Sequence, residues 1–98
     1  MITIKTLPEF DNWLDGVKDR TTRLRLSRRI DKAQRGILGD VKPVGSGVFE
    51  MREHFGAGWR MYYVQRGNIL IVMLGGGDKD SQTADISKAI TLSATLED

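Results

Sequence analysis

The chain has 98 residues, a formal net charge of +2, 40% hydrophobic residues and no cysteine. This length predicts one domain over residues 1–98, and the absence of cysteine excludes disulfides and thiolate catalysis. No apolar run is long enough to span a membrane, and the start, MITIKTLPEF, lacks the apolar stretch of a signal peptide. We therefore expect a cytoplasmic protein that does not bind membranes.

The N-terminal part predicts a strand followed by a helix. Residues 1–5 alternate apolar and polar side chains, which is typical of a short strand. Thr6 and Glu9 have the spacing of a capping box, with Pro8 in the first helical turn. Apolar residues then recur at i, i+3, i+4 and i+7, so one face of this helix is apolar. We expect the helix to end near Lys18.

A second helix is expected to start at Thr21 or Thr22 and to stop at Gly39, forming an antiparallel hairpin with the first. Residues 20–35 carry seven cations against one acid, Asp31. Charge this uneven suggests an anionic partner. A solvated helix face with long side chains is the simpler explanation.

The C-terminal part predicts three strands and a last helix, with a loop over residues 42–47 before them. The strands are predicted for residues 48–54, 59–65 and 69–74, and Asp80 or Ser81 can cap the helix. The third strand is an unbroken apolar run, which is typical of a strand covered on both faces. The order β-α-α-β-β-β-α predicts an α+β fold in which the helical hairpin packs on a mainly antiparallel sheet.

Gly75, Gly76 and Gly77 follow the third strand. Backbone amides at the following helix start could hold an anion. The run lacks both the Walker and the dinucleotide spacing, so nucleotide binding is not indicated. A turn that needs positive φ or close packing is the simpler interpretation.

Strand alternation groups several cations on one face of the predicted sheet. Arg52 and His54 point to the same side of one strand, and Arg60 and Tyr62 share a side of the next. If these strands pair, Arg52 and Arg60 stand together with Tyr62 nearby, and Lys79 lies at the adjacent strand end. This convergence favours anion binding.

The competing interpretation is that each arginine merely pairs with Glu50 or Glu53.

Metal catalysis is not expected, because His54 is the sole histidine and no acids have ligand spacing. We therefore predict no metal and no cofactor.

Two segments carry a family resemblance, KPVGSGVFEMREHFGAGWRMYYVQRGN and LGGGDKDSQTADISKA, supported by F-x-x-W-L and GD-x-KPVG. The chain resembles the RelE/ParE superfamily of type II toxin–antitoxin toxins, in the branch of HigB and phage Gp49-like addiction module killer proteins. The resemblance covers nearly the whole chain. One departure is Trp59, which stands where the family usually has tyrosine.

The resemblance implies a RelE-like fold and a toxin that inhibits translation. Its activity would be that of a ribosome-dependent, metal-independent endoribonuclease (an mRNA interferase). Its partners would be the ribosome, mRNA and a cognate HigA-like antitoxin with a helix-turn-helix domain. Operator DNA would be bound only through the toxin–antitoxin complex.

The resemblance also assigns site residues. Arg52 and Arg60 match the strand arginines that hold the scissile phosphate, and Lys79 matches the basic residue after the last strand. His54, Lys79 or Tyr62 are the candidates for proton transfer, with His54 as our own hypothesis. We expect Arg60→Ala to abolish growth inhibition without unfolding the protein. The cations predicted to contact RNA or the ribosome are Arg23, Arg28, Lys32, Lys42 and Arg66.

Two alternatives stay open on sequence alone. A ParE-like toxin would bind DNA gyrase and perform no chemistry, since one fold can carry different functions. Such a protein has no need for cations clustered on the sheet. A non-toxic binding module is the other alternative, and it would leave growth unchanged when expressed without a partner.

Overall fold

The computed structural model describes residues 1–96. In chain order its elements are β1 (Thr3–Thr6), α1 (Pro8–Asp15), α2 (Arg20–Gln34), β2 (Val41–Gly45), β3 (Val48–Arg52), β4 (Arg60–Arg66), β5 (Leu70–Gly77) and α3 (Gln82–Ser93). Over residues 1–96, no helix is both long and apolar enough to cross a membrane.

The five strands of residues 1–96 form one mixed sheet in the order β1-β5-β4-β3-β2. β1 runs parallel to β5, and the other neighbouring pairs are antiparallel. The predicted α+β class and the mainly antiparallel sheet are confirmed. β5 pairs with a strand on each side and contributes to the apolar clusters on both faces, as its unbroken apolar sequence predicts.

The sheet separates two apolar clusters. Met61 and Tyr63 face the side covered by α1 and α2, whereas Tyr62 and Val64 face α3. This division confirms the alternation predicted from the sequence, because neighbouring side chains of a strand point to opposite faces. Phe10 and Tyr63 are buried in the first cluster, and Trp13 and Phe49 pack against it as partly buried side chains.

One predicted loop is wrong, because residues 41–45 form the edge strand β2. Its pairing with β3 shifts register between Pro43 and Gly45. Pro43 is tolerated there since an edge strand can leave the missing N–H on its unpaired side. Gly45, Ser46 and Gly47 all have positive φ and make the turn into β3. The turn-forming composition of this segment hides the strand in the sequence.

The predicted capping box at the start of α1 is also wrong. β1 extends through Thr6, and the N-cap position is taken by Leu7, whose side chain cannot accept a hydrogen bond. Pro8 does occupy the first turn, where its missing N–H has no cost. The helix ends at Asp15, before the predicted Lys18.

α2 begins directly after Asp19, whose carboxylate accepts hydrogen bonds from the Thr22 backbone N–H (3.0 Å) and hydroxyl (2.7 Å). These bonds lower the pKa of Asp19, the hydroxyl contributing most. The helix ends at Gln34, two residues before Gly36, which has φ of 84°. The predicted stop at Gly39 is therefore wrong, because an earlier glycine ends the helix.

The three glycines belong to β5 rather than to a turn. A Cβ on Gly76 would overlap the indole ring of Trp13, and a Cβ on Gly77 would overlap the Asp85 carboxylate. For Gly75, by contrast, no atom of residues 1–96 outside its chain neighbours would lie within 4 Å of an added Cβ. Close packing, one of the two predicted reasons for this run, is confirmed at two of its positions.

Candidate functional site

The structure brings Arg52 and Arg60 together. β3 and β4 pair so that Arg52 lies directly opposite Arg60. Their neighbours Met51 and Met61 are buried in the cluster under α1 and α2, so both arginines belong to the face covered by α3. Two cations thus stand side by side where β3 ends and β4 begins.

Between these arginines lies Glu50, a fully buried carboxylate. Its Oε1 atom is 3.9 Å from Nε of Arg52 and 3.8 Å from Nε of Arg60. Its other oxygen, Oε2, accepts a hydrogen bond of 2.8 Å from the Gln82 side chain of α3. The two guanidinium groups therefore share a single carboxylate oxygen.

The polar atoms around Glu50 are only partly satisfied. Within residues 1–96, Glu50 Oε1, Arg52 Nε, Arg60 Nε and the Tyr62 hydroxyl are buried without a hydrogen-bond partner. The Nε–Oε1 separations exceed ordinary hydrogen-bond lengths. Burial, and then the charge of Glu50, raises the pKa of Tyr62.

Arg60 is held mainly by backbone carbonyls. Its side chain is 6% exposed, and Nη1 donates to the carbonyls of Glu53 (2.9 Å) and Trp59 (3.0 Å). Over residues 1–96, its Nη2 makes no hydrogen bond. The Arg52 side chain is 33% exposed, and neither of its Nη atoms is bonded within the same range. The two Nη atoms of Arg52 are therefore open to an anion, whereas Arg60 offers only Nη2, on a side chain that is almost completely buried.

Lys79 approaches Arg60 across Gly58. A Cβ added to Gly58 would lie 3.2 Å from Cβ of Lys79 and 3.7 Å from Nη1 of Arg60. The backbone of Lys79 also donates to the carbonyl of Ala57. The loop before β4 and the segment after β5 therefore meet, with the exposed Lys79 beside Arg60. We call Arg52, Arg60 and Lys79 the cationic edge.

His54 lies beyond the end of β3 and pairs with Asp40. Its Nε2 atom is 2.7 Å from Oδ2 of Asp40, and its side chain is 65% exposed. The bond to His54 lowers the pKa of Asp40, and the charge of Arg52 acts in the same direction. His54 therefore lies near the cationic edge, held by a carboxylate.

Arg29 has a structural part that the sequence does not reveal. Its guanidinium donates to the carbonyls of Leu38, Asp40 and Arg52 and pairs with Glu53 at 3.1 Å. It thereby ties α2 to the ends of the strands behind the cationic edge. Arg29 is one of seven cations within residues 20–35, and nothing in their spacing distinguishes it from the others.

The predicted RNA-binding cations of α2 do not join the cationic edge. Arg28 and Lys32 line a pocket of about 280 Å³ beside Glu53, together with two further arginines of the helix. Arg23 donates to the carbonyl of Val17, which connects α2 to the preceding loop.

The remaining two predicted cations lie on the sheet. Lys42 is on edge strand β2, directly opposite Glu50, and is exposed. Arg66 ends β4, six residues from Arg60, and lines a groove of about 780 Å³. In the part of the chain that the structure describes, no group of three or more His, Cys, Asp or Glu residues is placed to hold a metal ion.

A protein of Haemophilus influenzae, described only as an uncharacterized protein, is 39% identical to this chain over 95 residues. The match spans 97% of this chain and 96% of that protein. The chain belongs to the family of this Haemophilus protein. A search with family models found no match.

The fold is similar to that of a mutant of the E. coli toxin RelE in the free state. The TM-score is 0.72, and the match covers 97% of this chain and 98% of RelE, at 9% sequence identity. Identity this low shows the fold alone, so the chain has a RelE-like α+β fold.

Sequence reasoning missed two residues of this candidate site. The sequence analysis predicts Glu50 only as an ion-pair partner of a single arginine, although side-chain alternation already places it on the same side of β3 as Arg52. Gln82 is not considered, although it stands three residues after Lys79. A polar side chain early in α3 is a weak signal, because such positions are usually exposed.

Proposed function

We propose that this protein is the toxin of a type II toxin–antitoxin module and that it cuts mRNA on the ribosome without a metal ion. The observation that supports this most is the cationic edge, where two paired strands and the segment after β5 place three cations together. Charged groups held in advance around a phosphate stabilise the negative charge that develops in the transition state.

Sharing Glu50 does not neutralise these arginines. A single carboxylate faces two guanidinium groups, at 3.8 and 3.9 Å, so an excess positive charge is left. We propose that both Nη atoms of Arg52 and the Nη2 atom of Arg60 bind phosphate oxygens through charge-assisted hydrogen bonds. We therefore propose that Arg52 and Arg60 hold the scissile phosphate, with Lys79 beside them.

The reaction proposed is attack of the RNA 2′-oxygen on the adjacent phosphorus. The bond from phosphorus to the 5′-oxygen breaks, one proton leaves the 2′-hydroxyl, and another is delivered to the 5′-oxygen. His54 and Lys79 are exposed and can touch RNA, so we propose them for these transfers. His54 has a carboxylate partner to orient its ring. Tyr62 is buried, so we propose that it acts only through Glu50.

His54 and Lys79 are the only groups that we propose for proton transfer. So small a set favours a substrate that the ribosome has already positioned, since orientation alone can supply much of the rate acceleration. We propose that Arg23, Arg28, Lys32, Lys42 and Arg66 contact ribosomal or messenger RNA. A helix-turn-helix antitoxin would neutralise the toxin, and the complex would bind operator DNA. The cytoplasm, where ribosomes lie, is the proposed location.

The test is cleavage of a defined message by purified protein on programmed ribosomes. We expect the wild type to cut within the ribosomal A site and Arg52→Ala to be slower by about a hundredfold or more. Lys5→Ala is the matched control, because Lys5 is an exposed cation on β1, away from the cationic edge. It should cleave like the wild type.

Two results would contradict the proposal. One is an intact message with wild-type protein, and the other is normal cleavage by folded Arg52→Ala. A gyrase supercoiling assay run alongside tests the ParE-like alternative, which shares the fold. Inhibition of gyrase without cleavage of the message would show that the protein acts as a ParE-like gyrase inhibitor instead.

A further inference from the structure

We infer that Glu50 is a positioning residue, whose carboxylate orients the guanidinium groups of Arg52 and Arg60 toward the anion that they bind. The identity of that anion as an RNA phosphate rests on the proposed function. Glu50 itself has no exposed surface and does not touch RNA. Its effect is exerted through the two arginines.

The hydrogen bonding of Glu50 is unusual for a carboxylate that only stabilises the fold. Buried charges are normally paired and fully hydrogen-bonded, because desolvation is costly otherwise. Here Oε2 has a partner, Gln82, but in residues 1–96 Oε1 has no hydrogen bond, and neither have the two Nε atoms that face it. Departures of this kind from complete hydrogen bonding are expected where a site is built for function.

The geometry indicates what the carboxylate does. Each guanidinium turns its Nε toward the same Oε1 atom, at 3.9 Å for Arg52 and 3.8 Å for Arg60. Because a guanidinium is planar and rigid, fixing the side that carries Nε also fixes the direction of its Nη atoms. Within residues 1–96, both Nη atoms of Arg52 and the Nη2 atom of Arg60 make no hydrogen bond, whereas Nη1 of Arg60 is taken by two backbone carbonyls. Glu50 therefore helps to set the direction of the Arg52 guanidinium, and it acts on Arg60 together with the two carbonyls that hold its Nη1 atom.

The same carboxylate weakens the attraction for anions in the ground state. Replacing Glu50 by Gln keeps the shape but removes one negative charge between two cations. RNA should then bind more tightly, because the net positive charge of the site is larger. The two guanidinium groups should at the same time be less fixed in orientation, so the phosphate is held less precisely for the reaction. A role in stability alone does not produce this combination, because unfolding lowers binding and activity together.

Gln82 provides an independent way to disturb the position of Glu50 without changing its charge. Its side-chain amide is the donor that fixes Oε2 from α3. Gln82→Leu removes this donor, so Glu50 should lose its orientation while the net charge of the site is kept. Thr83 is the next residue of α3 and is exposed, so Thr83→Ala is a matched control.

The test combines steady-state cleavage on programmed ribosomes with binding of a short 2′-O-methyl RNA oligonucleotide to the free protein. For Glu50→Gln we expect KM and the oligonucleotide Kd to fall about threefold to tenfold at low salt, and kcat to fall about tenfold to a hundredfold. For Gln82→Leu we expect lower kcat with KM and Kd unchanged. Thr83→Ala should match the wild type in all three.

Several outcomes would overturn the inference. One is folded Glu50→Gln protein with unchanged kcat and Kd, and another is loss of activity and binding together in proportion to the unfolded fraction. If Glu50→Gln does not fold, Gln82→Leu decides, and unchanged kcat in that variant overturns it. If the wild type cuts no message, the proposed function fails, and the Kd of the 2′-O-methyl RNA oligonucleotide then tests the role of Glu50 by itself. A Kd that Glu50→Gln leaves unchanged then overturns the positioning role as well.

Discussion

Replacing Arg60 should destabilise the protein, contrary to the expectation from sequence that Arg60→Ala is harmless to folding. The Arg60 side chain is 6% exposed, and its Nη1 donates to two backbone carbonyls. Hydrogen bonds from a charged group contribute about 1.5–3 kcal/mol each. Removing one partner of a buried charged cluster costs about 3–5 kcal/mol. This cost already includes the lost hydrogen bonds, so the two contributions are not added. We therefore expect Arg60→Ala to lower the free energy of unfolding by about 3–5 kcal/mol.

Urea unfolding followed by circular dichroism measures this loss, because the free energy falls linearly with denaturant. Domains are stable by about 5–15 kcal/mol, so the variant should still be partly or largely folded. Arg52→Ala is the control. Its side chain is 33% exposed and its Nη atoms have no partner in residues 1–96, so we expect a loss of about 1 kcal/mol or less.

A loss for Arg60→Ala within about 1 kcal/mol of zero, or one equal to that of Arg52→Ala, would refute this reasoning. The comparison also affects how activity is interpreted. Loss of toxicity in Arg60→Ala can reflect a smaller folded fraction, whereas loss in Arg52→Ala reports on the site. Arg52 is therefore the better first target for mutagenesis.

Two further predictions concern packing and pH. Gly76→Ala should lower the free energy of unfolding by about 1–3 kcal/mol, because the added methyl group overlaps the Trp13 ring. In Gly75→Ala the added methyl group meets no atom within 4 Å among residues 1–96 outside its chain neighbours, so this control should unfold at the wild-type temperature. Equal melting temperatures for Gly76→Ala and Gly75→Ala would contradict this prediction. Burial raises the pKa of Tyr62 above its ordinary 10.0, so its contribution to stability is complete below that pH and is lost as pH rises toward the folded-state value. The urea concentration at the unfolding midpoint should therefore decrease as the pH rises above 10, and it should decrease less in Tyr62→Phe than in the wild type. The same dependence of the midpoint on pH in both proteins would contradict this prediction.

The alternation of side chains along β3 and β4 could be predicted because it depends on local backbone geometry. In a strand, neighbouring residues point to opposite faces whatever they pack against. This rule alone placed Arg60 and Tyr62 on one face, and the structure has Tyr62 on the face opposite to Met61 and Tyr63. It also led to the expectation that Arg52 and Arg60 meet if their strands pair.

The start of α1 and the strand β2 were missed because local signals conflicted with longer-range pairing. Thr6 resembles a helix cap, yet it pairs with Met73 of β5 in the parallel ladder. Pro43 and Gly45 favour a turn, yet β2 gains hydrogen bonds from β3. Sheet partners lie far away in the sequence, so propensity alone cannot weigh them.

By itself the sequence determined the class of the fold, the faces of the central strands and the side on which the arginines lie, because these follow from side-chain period and turn chemistry. Only the tertiary structure decided that Arg52 and Arg60 share Glu50, that α3 supplies Gln82, and that Tyr62 is buried. The physical reason is that burial and shared partners depend on which elements pack together. No periodicity along one segment contains that information.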